Sequence, residues 1–104
     1  MIMHLLIDDV KEGGWADIIA RNGRAGKLVL EQLSGFISCL HMDHDLGGEI
    51  SGLDIVRWAL ANGYLPDKVR VHSMNPPGRE AIVNTLLDND YQTIDNINFV
   101  RAGK

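Results

Sequence analysis

The chain reads as a parallel, layered α/β domain, and three observations carry that reading. Short apolar runs alternate with longer stretches of helical spacing, the pattern of strand–helix–strand units. Three of those runs, Ile2 to Ile7, Ile37 to Met42 and Val69 to Val71, stop abruptly at polar clusters. The clusters are Asp8-Asp9, Asp43-His44-Asp45 and His72-Ser73-Met74-Asn75. Charges are excluded from the middle of a buried strand because an unpaired buried charge is too costly. Ligands of such sheets bind outside the carboxyl ends of the strands. One site built from three strand ends is therefore expected.

At 104 residues the chain is expected to be one domain, 1–104, with a single core. A formal net charge of −4 gives no general attraction to nucleic-acid backbone or anionic membrane, so no broad nucleic-acid surface is expected. No signal-peptide pattern and no apolar run of spanning length is read, and no membrane partner is expected. Cys39 is the sole cysteine, which excludes an internal disulfide and suggests a cytoplasmic location. Its place in an apolar run suggests a small core residue rather than a nucleophile.

In order, Met1 to Ile7 is a buried strand and Val10 to Gly14 a loop with Gly13-Gly14 as breaker. Trp15 to Arg21 is either a short strand or a helical turn, and Asn22-Gly23 signals a turn. Ala25, Leu28, Val29 and Gln32-Leu33 give helical spacing to 24–33, which Ser34-Gly35 stops. Phe36 to Met42 is the next strand. Ser51 caps a helix to about Asn62, with Leu53, Ile55, Val56, Trp58, Ala59 and Leu60 as its apolar face and Gly63 at its end. Lys68 to His72 is a strand. Pro76-Pro77-Gly78 opens a helix that buries Ala81, Ile82, Leu86 and Leu87, and Asp88-Asn89-Asp90 ends it. Ile94 to Val100 is the last strand. The second strand's direction stays open, because parallel neighbours usually need a longer crossover than this loop.

The clusters suggest phosphate and metal chemistry. Asp8-Asp9 is a hard-oxygen pair suited to a magnesium-like ion, or else a loop cap beside a solvated acid. Asp43 and Asp45, two apart, point the same way in an extended chain, and His44 points opposite unless the strand bends. His41, inside the strand, reads as a satisfied core histidine. His72 can move protons near neutral pH, and the Ser73 hydroxyl can hold a phosphate oxygen. Asn75 is either a helix cap or a ligand. The amino end of the helix that follows would favour an anion, and Arg79 adds a charge-assisted donor. Trp15 either covers a base or plugs the sheet edge.

Taken together, Asp8-Asp9, Leu40-His41-Met42-Asp43-His44-Asp45-Leu46-Gly47, Ser51-Gly52 and Val71-His72-Ser73-Met74-Asn75-Pro76-Pro77-Gly78-Arg79 resemble the cyclic-phosphate-processing receiver domain family. The resemblance runs from about Leu5 to Leu87. It implies a reduced flavodoxin/receiver-like three-layer sandwich, with a mostly parallel five-stranded sheet lacking the first and last receiver helices. By position, Asp8 and Asp9 match the receiver's metal-binding acids. Asp43 or Asp45 matches its phospho-acceptor, and Ser73 its strand-end hydroxyl. The receiver's Lys-Pro pair after the last strand is missing, leaving Arg101 or Lys104 as substitute cation, which counts against phosphotransfer from a histidine kinase.

The resulting expectation is a metal-assisted phosphoesterase acting on a cyclic phosphodiester, either a small phosphate compound or an RNA end such as a 2′,3′-cyclic phosphate. Asp8, Asp9 and Asp43 would hold Mg2+ or Mn2+. His44 and His72, with Asp45, would move protons, and Ser73, Asn75 and Arg79 would grip phosphate oxygens. The alternative is a non-catalytic receiver-like module that binds a protein or nucleotide.

Overall fold

The structure, a computed structural model, describes residues 2–10 and 13–102. Met1, the middle of the predicted 10–14 loop and Lys104 lie outside the described residues. The elements are β1 (His4–Ile7), β2 (Ile18–Ala20), α1 (Gly23–Leu33), β3 (Cys39–Met42), α2 (Gly52–Asn62), β4 (Lys68–Val71), α3 (Pro76–Leu87), β5 (Tyr91–Gln92) and β6 (Asn98–Arg101). They form one α/β sheet in the order β2-β1-β3-β4-β6-β5. The β2–β1–β3–β4 block is parallel, and β6 and β5 add antiparallel edges.

Alternation along the strands sorts the residues between two faces. Leu5, Ile7, Leu40, Met42, Val69, Val71 and Phe99 are buried in the main core with Leu30, Ile55, Val56, Ala59, Ile82 and Leu86 of the helices. The helices pack in series, α1 on α2 and α2 on α3, so they form one layer on that face. No helix is inserted between β1 and β2, and none follows β6 among the described residues. Among the described residues the helices therefore cover one face only, giving two layers where three were expected. The face turned away from the helices carries His4, Cys39, His41, Lys68, Arg70 and Asn98, together with Leu6, which is buried beside Gly13.

The helices start where the sequence provides caps. Asn22 is the N-cap of α1 rather than a turn residue, its side chain accepting from Ala25 N–H at 2.8 Å. Ser51 and Asp54 make a capping box on α2, and Gly63 ends that helix with φ 73°. The apolar stripes are shifted in places. Leu28 and Leu87 face solvent, while Leu30 takes the core position in α1.

One point the sequence left open and two differences from its expectation have physical causes. Residues 15–21 contain a strand, and it runs parallel to β1, with Leu5 opposite Ile18. Because these strands are so short, residues 8–17 need only return the chain by a few residues' length. Ten extended residues can reach about 33 Å, so no crossover helix is required. The sheet has six strands rather than five, because Tyr91-Gln92 pairs with Arg101 and Val100. Residues 94–97 are not strand. Asp95 instead accepts from the N–H groups of Ile97 and Asn98 at 2.9 and 2.8 Å, and Ile94 is fully exposed. No helix of the described residues is long and apolar enough to cross a membrane.

Candidate active site

The carboxyl ends of β1, β3 and β4 stand side by side. Asp43 N–H donates to Ile7 carbonyl at 3.1 Å and His72 N–H to Met42 carbonyl at 2.8 Å, which brings the three polar clusters to one rim. Asp8, Asp9 and Asp43 each offer a carboxylate oxygen within 4.8 Å of the others. Asp8 is buried, and one of its oxygens accepts from Val10 N–H at 3.1 Å. Burial and the neighbouring Asp8 charge push the Asp43 carboxyl above its ordinary value, against the pull of the His44 and Asp45 backbone N–H groups. Three such acids in one place repel one another. Hard oxygen donors at this spacing suit a small divalent cation, and the residues fit that group.

The cluster opens into a cleft of about 690 Å³ whose wall includes Asp8, Asp43, Asp45, Arg70, His72 and Arg79, with Ser73 beside them. Asp45 is exposed, and hydrogen bonds from His44 and Asn75, both 3.1 Å, hold its carboxyl below the usual range. His44 itself is not on the cleft wall. Its ring lies against Gly78 at the start of α3, so close that a Cβ there would stand 2.4 Å from the imidazole. The two-residue alternation at Asp43-His44 decides this: with Asp43 facing the cleft, His44 turns to the helix.

Asn75 serves as cap, accepting from Gly78 N–H at 3.1 Å while its amide nitrogen donates to Asp45. The amino end of α3 is a poorer anion site than the sequence implied. Pro76 and Pro77 have no N–H, and the next two N–H groups, Gly78 and Arg79, are taken by the Asn75 side chain and carbonyl. Ser73 Oγ accepts from Asn75 N–H at 3.1 Å. The Arg79 guanidinium donates to the carbonyls of Val71, at 3.0 Å, and Asn96, so it braces the β4 end against the loop before β6 and keeps its charge at the cleft. Arg101 cannot substitute for the receiver's lysine. β6 is antiparallel to β4, so its end lies beside Lys68, where Arg101 binds Leu65 carbonyl, Tyr91 hydroxyl and Asp67.

Residues 3–88 match the family described as Cyclic-phosphate processing Receiver domain. The chain belongs to that family. Comparison with curated proteins and with solved structures gave no match. In this cyclic-phosphate processing receiver domain, the first-strand acids and the acid after the third strand meet, as expected for a receiver-like rim.

Sequence reasoning missed the sheet face next to that rim. His41, between its neighbours on β3, is buried, and both its ring nitrogens are engaged: Nε2 with His4 Nδ1 at 2.9 Å and Nδ1 with His72 Nε2 at 3.1 Å. It is a satisfied histidine, but it faces away from the main core. Trp15 lies against the histidines of the inner strands and does not plug the sheet edge. Its ring lies 4.3 Å from the His41 centroid and 6.4 Å from that of His72. Arg70, opposite His41 in register, adds a cation to the cleft wall. Its alternation with Val69 and Val71 was the available signal. The histidine row had none, because it runs across strands.

Proposed function

We propose that this domain hydrolyses a cyclic phosphodiester, with Asp8, Asp9 and Asp43 holding a divalent cation. The observation that carries the reading is the meeting of Asp8 and Asp43, with Asp9 clustered behind them, and His72, Arg70 and Arg79 at a single cleft. A divalent ion held there supplies Lewis acidity toward a phosphoryl oxygen and makes water more acidic. Arg70 and Arg79 draw the phosphate in by charge, and the Ser73 hydroxyl hydrogen-bonds one of its oxygens. The oxygen of a water molecule forms a bond to phosphorus while one ring P–O bond breaks. The bonding pair stays on the leaving oxygen, which takes a proton from His72. Asp45, whose carboxylate lines the cleft, receives the proton lost by the water. His44 thus acts by holding Asp45 and does not touch the substrate.

The family description favours a phosphate-containing small molecule or an RNA end over a long nucleic acid. The test is steady-state hydrolysis of 2′,3′-cyclic nucleotides with Mg2+ or Mn2+. Turnover should fall by at least about a hundredfold in His72→Ala, the usual scale for a general acid. Turnover untouched by that change would overturn the assignment. A second reading, a module that binds a nucleotide without turning it over, is favoured by the full use of Asn75 and the tethering of Arg79. Saturable nucleotide binding with no product under either metal would decide for it.

A further inference from the structure

The face of the sheet turned away from the helices carries a second group of metal-binding side chains, different in kind from the three acids. Cys39 and His41 are two apart on β3 and point to the same side. His4 on β1 stands directly opposite Cys39. One ligand atom from each of the three lies within 4.8 Å of the others. These positions are fixed by sheet register, which cannot slip by one residue without turning the apolar residues of the strand out of the core. His4 and Cys39 also line a separate cleft of about 520 Å³, with Ile2, Ser38 and Asp67 on its wall, so an ion can reach them.

We infer that His4, Cys39 and His41 form a site for a zinc-class divalent ion, with a fourth position open to that cleft. Two imidazole nitrogens and a thiolate are a borderline-to-soft donor set, chosen by zinc over magnesium. Zn–N bonds of about 2.0–2.1 Å at a tetrahedral angle place two nitrogens about 3.3 Å apart. His4 Nδ1 and His41 Nε2 are 2.9 Å apart, so on binding the pair parts by a few tenths of an ångström while the His4 proton moves from Nδ1 to Nε2. The other nitrogen of His41 already meets His72 Nε2 at 3.1 Å. With its Nδ1–H donated to His72, His41 presents the Nε2 lone pair toward His4, the orientation that an outer hydrogen bond gives a metal-bound histidine. The Trp15 ring packs against His41, with centroids 4.3 Å apart. The domain would then sort cations by hardness: magnesium or manganese at the three carboxylates, zinc at the sheet face.

This inference does not depend on hydrolysis at the rim, and the experiment keeps the two apart. Untagged protein is titrated with Co2+ as a spectroscopic substitute for zinc. One equivalent should give the strong visible bands of a four-coordinate ion and a near-ultraviolet sulfur-to-cobalt charge-transfer band. Cys39→Ser, nearly isosteric, should lose the charge-transfer band, and Asp43→Asn should keep both features. Absence of the charge-transfer band in the wild type, or its survival in Cys39→Ser, would overturn the site. So would its loss in Asp43→Asn. A second measurement needs no variant: Zn2+ should slow alkylation of Cys39, the sole thiol, by at least about tenfold, since a metal-bound thiolate is withheld from the reagent. An unchanged rate with excess Zn2+ contradicts the proposal.

Discussion

Replacing Asp43 by asparagine should make the metal-free protein more stable and the metal-loaded protein less so. Asparagine keeps an oxygen that can accept from the His44 and Asp45 N–H groups, so the change removes charge and little else. Two unit charges at the 4.8 Å outer limit of the cluster repel by about 0.9 kcal/mol in water-like surroundings and about 3.5 kcal/mol at an effective dielectric of 20. Asp43 is partly exposed, and screening holds the usable figure near the lower end, about 1 kcal/mol. For a domain of this size that is a rise in Tm of about 4–8 °C in EDTA. Wild type at a Mg2+ concentration about 100 times its Kd should gain about 2.7 kcal/mol, and the variant, short of one ligand, should lose most of that gain. Thermal melts with and without Mg2+ should therefore cross over. A variant less stable than wild type in EDTA, or one with the full Mg2+ shift, would refute the reasoning. The pH dependence has a definite sign. Because the folded-state pKa of Asp43 lies above its unfolded value, its destabilising effect is full at neutral pH. It is relieved as pH falls through the folded pKa and is gone below the unfolded value of about 3.8. The stability difference between variant and wild type should shrink over that window.

Three further outcomes follow from the local geometry. Gly52→Ala would place a Cβ 2.1 Å from Asp43 carbonyl oxygen and 2.9 Å from His44 Cα, a clash with backbone rather than a movable side chain. Urea denaturation should show a loss of about 3 kcal/mol or more, and a loss below about 1 kcal/mol would contradict the close approach. Asn75→Ala removes the α3 cap, costing about 1 kcal/mol by denaturation, and also takes a donor from Asp45. NMR titration should show the Asp45 pKa moving up toward 3.8, and an unmoved value would sink the contact. The Asp95 carboxylate is held well below the usual range, first by Asn98. Its contribution to stability is present above the unfolded value and is lost as pH falls toward the folded one, so acid denaturation of Asp95→Asn should be less steep than that of wild type.

The strands and helices that hold the rim were legible because each announces itself within a short window. Ile7, Met42 and Val71 each precede a polar cluster, and Ser51, Gly63, Asn75 and Pro76 mark helix ends by their own chemistry. That window also shows Asp8, Asp43 and His72 as candidates, because strand ends converge in a parallel sheet. It leaves two outcomes open at a strand end, a bend or a straight run and a cap or a ligand, and here His44 turns away from the cleft to hold Asp45 while Asn75 caps α3. Residues 91–101 misled for a related reason. Ile94 and Ile97 look like strand residues, but the Asp95 turn diverts the chain, and pairing with β4 fixes where β6 begins. The row His4–His41–His72 was invisible because its members are far apart in sequence and meet only through the register of β1, β3 and β4.

The central claim is that the rim opens a cyclic phosphodiester with the help of a divalent ion. The most direct measurement follows a 2′,3′-cyclic nucleotide by 31P NMR with the wild-type protein, in Mg2+ or Mn2+ and then in EDTA. The ring phosphorus signal should be replaced by that of a monoester only when the metal is present. A ring signal that persists with both metals, or that disappears equally fast in EDTA, would contradict it.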